Sequence, residues 1–590
     1  MGAALAPACL AAAACVDAHP RAPGAPGTPD TGVDVSHGQA RGPIGVYAYF
    51  SVEEYAGRPV DQSQTNIDAY FAGMYASLLD NPAISGLDMR VHWATLNPND
   101  PATSTAPYVW DPLDLAFAAV GSWNAAHTGL PPKTIQLNII PGFESPAWIF
   151  DHMVSCDPPD SSPTADGGAP FVPAPPASPP PGQPCDYSYF LDIEGKAAPY
   201  VSRRLPMPWS QTYVDDWRGF LVALAARYGN DSAFVSIAIG GPTAASTEMI
   251  MPNDADIDPS TVAPPYATQW QSDLTHWNYL FAAEYETNPA YQNSDQAFID
   301  AWSSAIDMYG EIFHDITLII TMGLGLPEFS PASSLAATVP AALQPACPDP
   351  YMECAAQASI VEHFLESSVA AGDAKAVEEE GFSAVEPYYR IDFDAAIVKW
   401  LTQADSAGPL LGGLEDTTTY SVREMAMGCL QFPSSCPDAE APTERCGKSC
   451  SAASCNVPVN CAEAESGAAP SAEQTLYNML QAYFDGTPAG PSFGMTAGPG
   501  RLNFYQLYAD DIFYSQGMAG CISVDFVAYA DDSGSSGLAK CTSAPPGEMI
   551  MSAAGVTFTT DQQLLEQASG SILQMAQAPE QLLAASGDAD

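Results

Sequence analysis

Two glutamates in this chain stand where a carboxylate is set up by its neighbours. Glu248 closes the run "GGPTAASTE" (240–248), directly after the apolar stretch "FVSIAI" (234–239). Glu415 lies in "GGLEDTT", directly after "PLL" (409–411). Each acid follows a strand-like apolar segment and a glycine pair, and glycine lets a ligand or a second backbone approach closely. Two carboxyl groups facing one another across a cleft can break a glycosidic bond. One protonates the leaving oxygen while the other attacks the anomeric carbon or activates a water. The chain has 69 acidic residues, so single placements of this kind arise by chance; the pair matters only if the fold brings both to one place.

The elements that must do so alternate along the chain. Strands are expected at 44–50, 86–96, 133–140, 234–241, 316–324, 374–385, 409–416 and 502–511, from short apolar or alternating runs bounded by turn residues. Helices are expected at 66–80, 112–126, 213–229, 276–285, 296–313, 357–372, 393–408 and 472–486, where apolar residues recur at helical spacing. Eight such units predict an α/β chain folded as a TIM (β/α)8 barrel, with the catalytic domain spanning 44–590. A doubly wound open sheet is the structural rival, but no glycine-rich phosphate fingerprint follows the first strand. Chemistry in a barrel sits beyond the C-terminal ends of the strands, which puts Glu248 after strand four and Glu415 after strand seven. Long insertions at about 151–209, 328–356 and 417–470 follow strands three, five and seven, and are expected to wall the same face.

Around the pair, Arg90 and His92 alternate on the second strand, Arg90 placed to orient a carboxylate and His92 a sugar hydroxyl. Trp93 and Trp148 are candidate platforms for the apolar faces of sugar rings. Glu144, Tyr505 and Gln506 at other strand ends complete the expected substrate-binding set, with Glu378, Glu379, Glu380 and Asp416 as reserve carboxylates. His92 and the tryptophans have an equally ordinary role as core residues.

These segments resemble a known group. "MRVHWATLNPNDP…YVWDPLDLAFAAV" (89–120) is similar to the second strand and following helix of the retaining (β/α)8 glycoside hydrolases. "LNIIPGFESPAWIF" (137–150) resembles the third strand and loop of their β-galactosidase-like and cellulase-like members. The resemblance spans 44–511 in layout and is sharp over 86–150 and 234–250. It implies Glu248 as general acid/base and Glu415 as nucleophile. One departure is Thr247, where the group carries asparagine before the strand-four glutamate. The "GGPTAASTEM" segment is also similar to the Gly-Pro-x-x-Glu segment of the β-amylases, which invert, so an inverting hydrolase of the same fold stays open. A surface barrel that binds glycans without cleaving them is the rival from another class.

Composition narrows the partners. Eighteen basic residues against 69 acidic ones leave a formal charge of -51, a field that repels nucleic acid and anionic lipid. The expected partner is a neutral carbohydrate, and the chain is expected to act as a monomer without cofactor or metal. The carboxylates Asp254, Asp256 and Asp258 lack the glycine and closing glutamate of an EF-hand. Fourteen cysteines point to an oxidising compartment. Cys156/Cys185, Cys347/Cys354, Cys429/Cys436 and Cys521/Cys541 are local candidate disulfides, while Cys446, Cys450, Cys455 and Cys461 leave their pairing open, with disulfides favoured over a zinc knot. An apolar run from Ala3 ends at Cys15 after four alanines, as in a lipoprotein export segment (1–19), although no Lys or Arg precedes Arg21. Residues 20–43, rich in Pro and Gly, are expected to be a tether. The localisation expected is extracellular or cell-surface, with lipidation of Cys15 a possible anchor.

Overall fold

The computed structural model describes residues 42–59, 61–156, 185–192, 201–252, 296–326, 354–366, 375–382, 410–416 and 502–509, with isolated positions elsewhere. The expected export segment, nearly all of the tether, the insertion at 417–470 and the helices at 393–408 and 472–486 lie outside them. So do the Asp254–Asp258 stretch and every cysteine pair but one.

Eight strands run parallel and close on themselves. They are β1 (Gly45–Ser51), β2 (Ile84–His92), β3 (Thr134–Ile140), β6 (Phe234–Ala238), β8 (Thr317–Gly325), β9 (Lys375–Phe382), β10 (Leu410–Asp416) and β11 (Leu502–Tyr508). Each pairs with the next, β6 pairs with β8, and β11 returns to β1, so the ring has no free edge. A parallel connection needs a crossover, and in the described connections helices supply it. Between the ring strands lie α2 (Gln64–Asp80), α4 (Asp111–Ala126), α5 (Gln211–Tyr228), α6 (Gln296–Ile312) and α7 (Cys354–Glu366). This is the α/β barrel order expected from the sequence, and the short sixth ring strand at 375–382 is present.

The helices form for local reasons. In α5, Ser210 caps the first turn by accepting from the Tyr213 backbone N–H, and Gly229 follows the last. Tyr213, Trp217, Phe220, Leu221, Leu224 and Tyr228 form its buried stripe, worth roughly 1.5–3 kcal/mol for each fully buried side chain. Helix α4 begins with Pro112 in its first turn, a position whose N–H has no helical partner to lose.

Alternation along the strands divides two cores. Val46, Leu87, Leu137, Ile237, Leu318 and Leu507 face the helices and join the large apolar cluster. Tyr47, Ala238, Ile319, Ala376 and Phe504 fill the inside of the ring, with Leu411 packed on them. Gly413 belongs to this inner layer because a Cβ there would lie 2.1 Å from Cζ of Phe504. A polar layer accompanies the apolar one. Asp88, Gln136, Asn138, Ser236, Thr321 and Gln506 are all buried. Asn138 donates to Asp88 at 3.1 Å. Gln506 donates to Gln136 at 3.2 Å, a bond between β11 and β3, strands separated in the ring by β1 and β2.

Three details differ from the sequence reading. The second strand stops at His92, and Trp93–Leu96 turn into the short helix α3. The first insertion, for which no strands were expected, contains an antiparallel hairpin of β4 (Tyr187–Asp192) and β5 (Val201–Pro206). The Cys156–Cys185 disulfide forms beside that hairpin. Finally, Glu248 opens a short strand, β7 (Glu248–Ile250), paired in parallel with β8, instead of standing in a loop.

Candidate active site

Beyond residue 239 the chain leaves the ring and returns to it. The last β6 pairings match Ser236–Ala238 with Thr317–Ile319. Residues 240–247 then arch away, and Glu248 rejoins the same neighbour at Thr321. Thr321 also registers with Glu378 on its other side, and Glu378 with Gly413. Glu415 lies two residues further along β10, level with Gln506 of β11. The backbones of Glu248, Glu378 and Glu415 therefore meet at one end of the barrel. Three strand spacings of about 4.8 Å make the Glu248–Glu415 path along the wall about 14 Å. The straight line across a curved wall is shorter.

The arch itself is held by backbone contacts. The Phe143 N–H donates to the Ala244 carbonyl at 2.6 Å, and the Ala244 N–H to the Ile250 carbonyl at 2.9 Å. Gly142 allows the first contact. Its φ is +62°, and an added Cβ would lie 2.1 Å from the Ala244 oxygen. Thr243 Oγ1 donates to the Ser246 carbonyl, and the Glu248 N–H donates to Ser246 Oγ. Glu248 is buried, at 4 % exposure.

Arg90 reaches across the mouth from β2. Its Nη2 donates to the Ala245 carbonyl at 2.6 Å, and Nη1 lies 3.5 Å from Tyr49 Oη. It thus grips the arch that delivers Glu248. Tyr49 in turn meets Tyr508 edge-on at 4.8 Å.

His92 sits between two carboxylates. Glu53, in the short helix α1 (Val52–Ala56), accepts from the His92 backbone N–H at 3.0 Å, and its other oxygen is 3.8 Å from Nε2. Glu144 Oε2 is 3.3 Å from Nδ1. Burial lowers the His92 pKa; Glu53 and Glu144 push it up, Arg90 and Arg203 push it down, and the net direction is down. Glu144 is itself clasped by Arg203 of the hairpin, through Oε1 at 2.5 Å and Oε2 at 2.9 Å. Arg203 also donates to the buried Asp192 at 2.7 Å and to the Phe143 carbonyl at 2.5 Å. Burial alone would depress the guanidinium's pKa, but the hydrogen bonds and charges of Glu144 and Asp192 more than reverse this, so it stays charged.

Two expected ligand contacts are corrected. Trp93 is fully buried among Trp148, Tyr213, Trp217 and Phe220, so its ring faces helices and no cleft. The turn into α3 directly after His92 takes it there. Tyr505 alternates with Phe504 and Gln506 and packs in the helix-facing cluster. Gln506 faces the barrel interior but is buried in the bond to Gln136. Trp148 is half-buried, with Nε1 donating to the Asn97 carbonyl and its ring stacked near His152. Four residues near the site went unread in the sequence. Glu53 follows the first expected strand with no motif to mark it, Arg203 and Asp192 lay in the insertion at about 151–209, and Tyr49 is marked only by alternating with Tyr47.

At the opposite end, a cavity of about 570 Å³ is lined by Tyr47, Asp80, Ile84, Trp123, His127 and Lys133 among others. These residues precede or begin the strands, so it is remote from the carboxylates. Among the described residues no group of three or more His, Cys, Asp or Glu is arranged to hold a metal, and no helix is long and apolar enough to cross a membrane.

No family model matches the sequence, and no curated protein matches it. Among solved structures, a β-galactosidase from the psychrophilic Marinomonas ef1 aligns at 12% identity with a TM-score of 0.24, over 64% of this chain. This chain covers 42% of that enzyme's length. The catalytic domain of a β-amylase from Paenibacillus polymyxa aligns at 11% identity with a TM-score of 0.26, over 63% of this chain and 92% of its own. The fold assignment rests on the strand pairings, not on these likenesses.

Proposed function

We propose that the protein is an exported glycoside hydrolase that cleaves a neutral oligo- or polysaccharide with Glu248 as general acid/base and Glu415 as nucleophile. What carries this reading is the arrival of two glutamates from distant segments at the same end of a closed parallel barrel, where barrel enzymes keep their chemistry. In the first step the Glu415 carboxylate attacks the anomeric carbon as Glu248 gives its proton to the departing oxygen. In the second, Glu248 takes a proton from water, which displaces Glu415 and frees the sugar. Arg90 holds the arch that leads into Glu248, and His92 orients a sugar hydroxyl.

The test is hydrolysis of a broad panel of aryl glycosides and polysaccharides by the wild type, Glu248→Gln and Glu415→Gln. The reading expects the wild type to cleave a member of the panel, and each variant to lose about a hundredfold or more. Full activity in Glu415→Gln would move the nucleophile to another carboxylate. Inversion of the anomeric centre would turn Glu415 from nucleophile into base. A wild type that binds but cleaves nothing would favour the glycan-binding barrel.

A further inference from the structure

The hairpin beside the Cys156–Cys185 disulfide reaches the charge cluster around His92. Its strand β5 sends Arg203 into the charge cluster at the mouth, where the guanidinium contacts Glu144 through both carboxylate oxygens, together with Asp192 and the Phe143 carbonyl. A planar fork that meets a carboxylate twice fixes its orientation as well as its charge. Held this way, Glu144 turns Oε2 toward His92 Nδ1 at 3.3 Å, while Glu53 Oε2 stays 3.8 Å from Nε2. A carboxylate only accepts hydrogen bonds, so the nearer contact favours the imidazole proton on Nδ1. That leaves Nε2, on the side of Glu53, as the ring's acceptor.

We infer that Arg203 is a positioning residue: by orienting Glu144 it sets the tautomer of His92 and keeps the ring neutral, so that Nε2 accepts a hydrogen bond from a substrate hydroxyl. The hydroxyl contact rests on the hydrolase reading; the control of His92 does not. The charged groups facing His92 are Glu53 and Glu144 on one side of the balance and Arg90 and Arg203 on the other. Removing Arg203 takes away the guanidinium that clasps Glu144 and one of the two cations facing the ring, which favours the imidazolium.

The experiment is NMR titration of ring-labelled histidines in the full chain, with His92→Gln assigning the resonance. It compares wild type, Arg203→Met and the double variant Arg203→Met/Asp192→Asn. The double variant spares the buried Asp192 from standing as a lone charge if Arg203→Met alone does not fold. The wild type is expected to show the Nδ1–H tautomer, and removing Arg203 to raise the His92 titration midpoint by about one pH unit or more. Adding Glu144→Gln to either variant should abolish most of that shift, because Arg203 acts through Glu144. A smaller shift, an Nε2–H tautomer in the wild type, or a shift that survives without Glu144 would overturn the proposal. None of these readouts needs a substrate, so a chain that hydrolyses nothing still tests it. An active chain whose His92 ignores Arg203 refutes it while leaving the carboxylate pair standing.

Discussion

Substituting alanine at two glycines tests the account in opposite directions. At Gly142 the backbone has φ +62°, and a Cβ would lie 2.1 Å from the Ala244 oxygen and 2.3 Å from that of Thr243. An L residue in the left-handed region costs about 1–2 kcal/mol. The clash is with backbone, so the arch must move, and the Phe143-to-Ala244 hydrogen bond goes with it at about 1–3 kcal/mol. Gly142→Ala is thus expected to destabilise by about 2–5 kcal/mol. The same arch carries the carbonyl gripped by Arg90 and leads into Glu248, so activity should fall about ten- to a hundredfold. Gly73 is the control. It lies within α2 with nothing within 4 Å of an added Cβ, so Gly73→Ala should stabilise by about 0.5–1 kcal/mol at unchanged activity. Urea unfolding followed by tryptophan fluorescence, with rates on the substrate found in the panel, reads both. Gly142→Ala at wild-type stability would refute the description of the arch. Equal destabilisation by the two changes would refute the steric argument.

Other expectations follow from buried charge and covalent closure. Lys133 is 6 % exposed, donates to the carbonyls of Asn81 and Ile84, and lies over the Trp123 ring. Burial, only partly offset by Asp80, lowers its pKa to about 8. The unfolded lysine holds its proton up to a higher pH, so the wild type should gain stability as pH rises from about 8 to 10.5. The gain is about 3 kcal/mol relative to Lys133→Met, and a flat difference in urea midpoints across that window would contradict it. The Cys156–Cys185 bond closes a sequence separation of 29, which in the chain-entropy picture is worth about 3–4 kcal/mol. Replacing both cysteines by serine should lower the unfolding midpoint accordingly; an unchanged midpoint would mean that the hairpin docks without its staple.

The ring strands were legible because each is a short apolar run whose period and bounding turns are local properties. Even the weak sixth, "AKAVEEEGF", appears at 375–382. The same order set Glu415 near the end of β10, but the separate short strand β7 that carries Glu248 was not read. Side-chain direction was harder. Trp93 follows a β-alternation that stops one residue earlier, where the chain turns into α3, and only tertiary packing decides that stop. Tyr505 and Gln506 are adjacent, so on a strand just one of them can face the interior, and parity depends on where the strand begins. Arg203 and Asp192 were hidden because their hairpin brackets a segment with no apolar period of its own. Glu144, which Arg203 clasps, lies 59 residues before it in the chain, a pairing that no local pattern announces.

The central claim is that Glu248 delivers the proton. It is tested most directly by the rate of Glu248→Gln on two glycosides of the same sugar, one with an ordinary alcohol leaving group and one with dinitrophenolate, which departs without protonation. The account predicts a loss of about a hundredfold or more on the first and a far smaller loss in glycosylation on the second. Equal losses on both, or none on either, would contradict it.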